Sequence, residues 1–491
     1  MSENVGKKIG FVLKKELKNI QFASLNVGPR KSTCFKHHIS MLDFEPFPAF
    51  EVLNPNIPLM KFNIPDTSQK RVVIVGGGFG GLTLARRLAK SKDFQIVLID
   101  KNNYHQFQPL FYQVAMAGLE PSSISFPFRK VFQNNKNVFV RMANVLAVRT
   151  QAQEIDTEIG PLRYDYLVLA MGADTNWFGN ESIRSNAIPM KSVSEALYLR
   201  NAIFEDYERA VTADGYEARQ RFLDIVVVGG GATGVEVAGA LAEMKHHIIS
   251  KDYQDLNRDE IEIHLVHGAP HVLNGMSEQA STKAEKFLRE LGVTLWLDKV
   301  VKAYDGQTVT MNDGTSIRAD KVIWAAGITG NRIEGLPETA YGRGNRLFCN
   351  EFNQVTEAAN VFAIGDMALQ THEPKWSNGH AQVAQTAMQQ GKQLANNLLR
   401  LSKGQQPRPF RYTDLGNMAT IGRHRAVADL PFWRTQGIIA WMMWLFIHLL
   451  NILGTKNKVF VFLNWVWNYL TYDQSLRLVI KPWKKPSKTA T

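Results

Sequence analysis

Glycines at fixed spacing are the first residues in this chain whose types could do chemistry. In RVVIVGGGFGGLTLARRLA, Gly76, Gly78 and Gly81 stand in GxGxxG register, with Gly80 inside the motif. In LDIVVVGGGATGVEVAGALAEM, Gly229, Gly231 and Gly234 repeat the register. Each set follows a β-branched run and opens an alanine- and leucine-rich helical stretch, the context that the motif requires. The chemistry is the holding of a pyrophosphate. The first glycine permits the tight turn, and the second lets backbone approach the phosphates. The third lets helix pack on strand, so that the positive helix N-terminus faces the ligand. One copy is weak evidence, because any glycine-rich strand-to-helix turn mimics it. Two copies in correct context predict two dinucleotides in one chain, one giving electrons and one taking them.

Three carboxylates extend this reading. Asp100 ends the strand QIVLID, 22 residues beyond Gly78, where a Rossmann unit places an acid to accept both ribose hydroxyls of an adenosine. Asp366 follows Gly365 at the end of NVFAIGDMA, where a carboxylate beside glycine can approach a hydroxyl closely. Glu236 lies in GGGATGVE, in the first turn of the helix that the second motif opens. An acid there also stabilises a helix N-terminus by about 0.3–1 kcal/mol, so its position alone does not make it catalytic. Ala170 and Gly172 (in YDYLVLAMGADT) and Gly327 (closing DGTSIRADKVIWAAG) are small residues at strand ends. They leave room for a ligand.

The elements that must position these groups alternate strand and helix. After the second motif come the strand EIEIHLVHG, a stretched loop over 246–258, and a long helix from GHAQVAQTAMQQGKQLANNLLRL. A helix is expected around Glu195–Val211, and FRYTDLGNMATIGRHRAVADL reads as two short strands. The fold class expected is α/β, with two Rossmann-type dinucleotide-binding domains, the second inserted in the first. Residues 60–185 and 328–430 would form the first domain and 186–327 the second. Residues 431–491 would form a membrane-associating helical segment, and 1–59 a poorly ordered extension. No internal repeat is evident beyond the two Rossmann units.

At 491 residues the chain suits two or three domains. Its net charge of +12 would suggest nucleic acid if it were spread evenly. From Arg434 onward, however, eight Lys/Arg stand against one acid, Asp473, and six of the ten tryptophans lie from Trp433 onward. Basic residues beside an aromatic, apolar stretch fit an anionic membrane surface, not nucleic acid. Within that tail, GIIAWMMWLFIHLLNILG runs 18 residues without a charge, broken only by His448 and Asn451. As helix it would span about 27 Å, close to the hydrocarbon thickness. A basic link, TKNK, then leads to the 14 residues of VFVFLNWVWNYLTY. A transmembrane hairpin, two helices lying in one leaflet, and a buried or dimer surface all fit. The short second stretch, with Asn464 and Asn468 on one face, favours helices lying in one leaflet. Two cysteines only, Cys34 and Cys349, exclude a disulfide framework and CxxC chemistry.

Together the two GGGxxG turns, VFAIGD, AQTAMQQG and the aromatic basic tail resemble the type II NADH dehydrogenases. These are single-chain flavoproteins that pass electrons from NADH to membrane quinone, with a glutathione-reductase-like arrangement. The resemblance runs from about Met60 to Trp483, and tail motifs such as LNWVWNYLTYDQSLRL are similar to those of Bacteroidetes-type members. It implies that the first Rossmann unit holds FAD. There Gly76–Gly81 would cradle the pyrophosphate, Asp100 and Lys101 the adenosine half, Val145 the adenine, and Asp366 the ribityl chain. In AQTAMQQ it places Gln385 at the flavin ring beside the quinone headgroup, with Gln389 at the quinone site. Backbone at Ala387 and Met388 would lie near the pyrimidine edge. NADH would bind the second unit, and Glu236 would relay a proton to menaquinone or ubiquinone. The family often carries an acid where His267 ends the second Rossmann strand, so NADPH becomes possible. A homodimer, peripheral on the cytoplasmic face of the inner membrane and pumping no protons, completes what the resemblance implies. Two rivals are a sulfide:quinone oxidoreductase, which needs an active-site cysteine pair, and a membrane-bound redox sensor without rapid turnover.

Overall fold

The computed structural model describes residues 61–471 and 476–481. The expected N-terminal extension and Cys34 lie outside the described residues, as does the segment 482–491. Continuous β-branched runs fold as strands covered on both faces, as parallel sheets require. Val72–Val75 and Ile225–Val228 are buried at every position. The first sheet runs Val361–Ala363, Tyr166–Leu169, Lys70–Val75, Phe94–Asp100, Val138–Met142, all parallel. The second runs Ile188–Pro189, Lys321–Trp324, Ile225–Val228, Ile263–Val266, Val293–Trp296, again all parallel.

In each sheet the return to a central strand passes through a three-stranded antiparallel meander. One meander is Val145–Arg149, Glu154–Thr157 and Gly160–Arg163; the other is Val301–Tyr304, Thr308–Met311 and Ser316–Arg318. The internal duplication therefore reaches beyond the two glycine turns that the sequence reveals. Ala173–Thr175 pairs antiparallel with Ile328–Gly330, so the chain leaves the first sheet and returns to it side by side. Helix Ala384–Leu401 then packs on helix Phe79–Leu88, the helix opened by the first motif. The contact is glycine on glycine: a Cβ on Gly391 would stand 2.4 Å from the Gly80 carbonyl oxygen.

Several boundaries differ from expectation, each for a local reason. Residues 246–252, expected as loop, continue the helix Ala232–Met244 through a widened π turn at Lys245–Ile249 and a final turn at Ser250–Asp252. The hairpin Asn417–Gly422 and Arg425–Leu430 gains a third strand, Trp433–Gln436. The helix near residue 195 spans Val193–Thr212, with Ser192 and Glu195 forming a reciprocal capping box.

The tail changes most. Its first helix is Ile438–Asn451, 14 residues, which is about 21 Å. Its second is Thr455–Thr471, 17 residues, about 26 Å. The TKNK expected as a link instead forms the first turn of the second helix. The break falls earlier, at Gly454 with φ +80°, and Lys458 Nζ reaches back to the Leu450 carbonyl at 2.6 Å. Among the described residues, no helix is long and apolar enough to cross a membrane. Trp444, Ile452 and Val461 are buried in the same core as the second Rossmann helix, so the tail is part of the fold.

Candidate active site

The two glycine turns have the same geometry. Gly76 and Gly229 take φ of +100° and +114°, a left-handed conformation natural to glycine. A Cβ on either would stand 2.3 Å from a carbonyl oxygen, of Ala170 or Ala325. Gly81 and Gly234 are blocked too, with Cβ positions 1.9 and 1.8 Å from the carbonyl oxygens of Gly76 and Gly229. The middle glycines differ. Around a Cβ on Gly78 or Gly231 there is no protein atom within 4 Å. Each turn is closed on its protein side and open at the helix N-terminus, the cradle that a pyrophosphate needs. Gly172, with φ +69°, is open as well, and Gly327 faces the Phe178 ring. Gly80 sits on the helix-packing side, facing the Ala387 carbonyl at 3.2 Å from its Cβ position. Its role is close helix contact.

Asp100 Oδ2 accepts from the Gly77 N–H at 2.7 Å, and Oδ1 accepts from Asn102 N–H at the same distance. Burial raises the pKa of this carboxyl. Lys101 beside it is exposed, and half-buried Val145 opens the first meander. In the second unit His267 takes the place of Asp100. Its Nδ1 accepts from the Gly230 N–H at 3.0 Å. Burial lowers its pKa, so the ring is held neutral with its proton on Nε2. An acceptor thus meets the turn in both units, but in the second it carries no negative charge. Sequence reasoning missed two supports of the first turn: buried His105, whose Nδ1 lies 3.0 Å from the Gly77 carbonyl, and the Phe128 ring under Gly77.

Asp366 lies in the short turn Gly365–Met367. Burial raises its pKa, while Lys191 and Arg346 act in the opposite direction. The turn is held by Gln390, whose Oε1 accepts from Gly365 N–H at 2.6 Å, and by Gln382, which donates to the Asp366 carbonyl at 3.0 Å. Gln390, fully buried, was not singled out by the sequence; its neighbour Gln389 was. In the structure Gln385 and Gln389 engage the backbone of the segment that faces their helix. Gln385 donates to the Gly416 carbonyl at 3.0 Å and accepts from Leu415 N–H at 2.9 Å. Gln389 pairs with both backbone groups of Thr413, at 2.8 and 3.0 Å. Both amides fasten the extended segment 413–416 to their helix. Ala387 is buried and Met388 half-buried on that helix.

Glu236 opens onto a different space. A cavity of about 570 Å³ lies between helix Ala232–Met244 and the two tail helices, and neither Gln385 nor Gln389 lines it. Trp444 stacks on His448 with ring centres 3.9 Å apart and meets Tyr112 edge-on at 6.1 Å. The Tyr112 hydroxyl accepts from Gln113 Nε2 at 2.8 Å, and Gln113 Oε1 accepts from Trp465 Nε1 at 2.7 Å. Burial pushes the Glu236 carboxyl up to about 8, against the opposing pull of the Thr420 backbone N–H and the Trp444 indole. Burial also pushes His448 down to about 4, so it is neutral. The result is an aromatic slot with the protonated Glu236 carboxyl in its wall, suited to a planar apolar molecule carrying a polar oxygen.

Cys349 is buried, and its thiol is pushed up to about 12. It is the only cysteine among the described residues. Nothing there can serve as a redox cysteine pair.

Two open dinucleotide cradles on paired parallel sheets define a pyridine-nucleotide flavoreductase class. The family model for pyridine nucleotide-disulphide oxidoreductases matches residues 70–391, and that for the NDH2 C-terminal domain matches 415–472. The type II NADH:quinone oxidoreductase Ndh of Mycobacterium tuberculosis is 35% identical over 82% of this chain and 88% of its own length. That of Haemophilus influenzae is 28% identical over 74% of this chain and 87% of its own. NDH2 from Plasmodium falciparum, solved in complex with NADH, shares the fold with a TM-score of 0.77 at 22% identity, covering 84% of this chain and all of that one. The chain belongs to the type II NADH:quinone oxidoreductase family.

Proposed function

We propose that this enzyme passes two electrons from NADH through bound FAD to a membrane quinone, without pumping protons. The observation that carries the reading is the aromatic cavity with Glu236 in its wall, beside two dinucleotide cradles. FAD, when bound, accepts a hydride and returns its electrons to an acceptor. Residues 60–185 and 328–430 would hold it, through Gly76, Gly78 and Gly81, Asp100, Lys101, Val145, Ala170, Gly172 and Asp366, with backbone at Ala387 and Met388. Residues 186–327 would hold NADH, through Gly229, Gly231, Gly234 and Gly327. Gln385 and Gln389 would act by fixing the 413–416 segment near the flavin ring. Glu236, protonated at neutral pH, would donate to a quinone oxygen as negative charge develops there. The test is anaerobic rapid mixing. NADH should bleach the flavin fast, and a quinone analogue should restore it fast; bleaching without quinone-driven recovery would overturn the reading.

His267 bears on which nucleotide enters. A neutral imidazole in place of a carboxylate removes the repulsion of a 2′-phosphate and the bidentate ribose acceptor. His267→Asp should therefore raise the preference for NADH over NADPH by about tenfold or more in kcat/KM, equivalent to about 1.4 kcal/mol. An unchanged ratio would remove His267 from nucleotide selection.

The tail supports a peripheral place on an anionic bilayer. Ile438, Met442, Phe446 and Leu450 form one exposed row, and Leu463 and Leu470 line the second helix, all at least half exposed. Phe432, at the hairpin tip, is wholly exposed. The removal of such a face from water, at about 25 cal/mol per Å², drives helices to lie in an interface. Lys456 and Lys458 lie on the second helix. The cytoplasmic face of the inner membrane and a homodimer are the proposed setting. Deleting the tail would unroof the core, so point changes serve better. Phe446→Glu with Leu470→Glu should release the enzyme from vesicles containing anionic lipid while flavin bleaching by NADH persists. Continued sedimentation with those vesicles would count against the face.

A further inference from the structure

We propose that Glu243 is a second proton carrier that resupplies Glu236 from the outer end of the cavity. This rests on the reading of that cavity as the quinone site. The net reaction, NADH with one proton and quinone giving NAD⁺ and quinol, draws one proton per turnover from the medium. A buried Glu236 that has given up its proton must regain it.

The titratable side chains lining the cavity are Tyr112, Glu236, Glu243, His247, Arg423 and Tyr469. Arginine does not release a proton in a protein. Burial and the two nearby glutamates hold the Tyr112 hydroxyl well above its usual range, and Tyr469 lies on the tail helix across the cavity. Glu243 and His247 remain on the helix that carries Glu236. Glu236, Ala240 and Glu243 follow one another at spacings of four and three, which keeps them on one helix face, and His247, in the π turn that follows, lines the same cavity. Seven residues rise about 10 Å, too far for direct transfer. On the helix face between the carboxyls the cavity is lined by the small side chain of Ala240, and its volume of about 570 Å³ is enough to hold water.

Glu243 is built to hold and release a proton. Burial raises its pKa, while the Arg423 backbone N–H donates to its Oε1 and the Arg425 and Arg423 side chains act to lower it. The Arg423 guanidinium in turn lies 4.1 Å from the Tyr469 ring centre, so the hairpin turn and the tail meet beside Glu243. Tyr112 faces both carboxyls from the opposite helix, Phe111–Ala115. His247 lies in the π turn, where burial and the nearby His246, Arg423 and Lys251 lower its pKa. In the transfer, the O–H bond of Glu243 breaks and its proton passes over water to the Glu236 carboxylate. Glu243 then takes a proton from the medium by way of the His247 imidazole. No electron moves in these steps.

Glu243→Gln keeps the oxygen that accepts from Arg423, and Ala240→Leu fills the water gap with both carboxyls intact. Each should slow quinone-driven flavin recovery about tenfold at pH 7 to 8, leave bleaching by NADH unchanged, and respond to added formic acid with partial rescue. Infrared difference spectra between reduced and quinone-reoxidised flavin-loaded protein should show a carboxyl signal that Glu243→Gln removes and Glu236→Gln does not. Recovery at the wild-type rate in both variants would overturn the proposal, as would equal loss in both half-reactions. If Glu236→Gln alone slows recovery, only the Glu243 step fails. If Glu236→Gln has no effect, the reading of the cavity itself fails.

Discussion

Glu236→Gln should slow quinone-driven recovery of the flavin by about 10² to 10⁴, the usual worth of a positioned proton donor, while bleaching by NADH stays within twofold. The two half-reactions separate because the carboxyl lines the aromatic cavity, whereas the nucleotide cradle opens at Gly231, one turn earlier on the same helix. As a proton donor, Glu236 works in its neutral form. With its carboxyl pushed up to about 8, the wild-type recovery rate should fall as pH rises through that value. The variant should lack that limb. Stability gives a second readout with a fixed sign. The folded carboxyl keeps its proton to about pH 8, and the unfolded one releases it near 4.5. The folded state therefore binds more protons between these values. Stability from this group is present below the lower value and is lost as pH rises through the upper one. Glu236→Gln removes that slope, so its melting temperature relative to wild type should climb between pH 5 and pH 9. A flat difference, or equal slowing of bleaching and recovery, would show a structural role only.

The second large effect is a contrast within one glycine turn. Gly231→Val should leave the fold intact and weaken NADH binding by about a hundredfold, near 2.7 kcal/mol. Its backbone is extended, at φ −73° and ψ −179°, and no protein atom lies within 4 Å of its Cβ position. The added side chain meets only what the cradle holds. Gly234→Ala should lose both binding and stability, because its Cβ would stand 1.8 Å from the Gly229 carbonyl oxygen. The helix must move, and overpacking of this kind costs about 1–3 kcal/mol or more. Thermal unfolding and NADH titration of the two flavin-loaded variants decide the matter. Equal destabilisation by both would mean that the open side of the turn is filled by protein.

Much of this was legible because it depends on residue type at short range. A left-handed turn at Gly76 and a helix touching a carbonyl at Gly81 each demand glycine, so the cradles announce themselves in order and spacing. Asp100 was legible for a similar reason, since a strand end beside such a turn leaves one place for an acceptor. The helix carrying Gln385, Gln389 and Gln390 was legible as a helix. Which glutamine met the Gly365 turn and which met the 413–416 segment was not, because helical phase does not reveal what lies opposite. Tail boundaries were missed because the apolar run has no internal stop except Gly454. The polar TKNK looks like a linker until Lys458 caps the preceding helix.

The sequence by itself determined two glycine cradles of Rossmann type, the places of Asp100, Asp366 and Glu236 at strand ends or on a helix, and an aromatic, apolar tail beside basic residues. Local backbone chirality and side-chain periodicity decide those. Only the tertiary structure decided that the tail roofs the second Rossmann helix, that Glu236 and Glu243 share one cavity, and that Cys349 is buried. These follow from packing between segments as far apart as Tyr112, Glu236, Thr420 and Trp444. The burial that shifts the Glu236 carboxyl to about 8 comes from those contacts, and no local pattern along the chain encodes it.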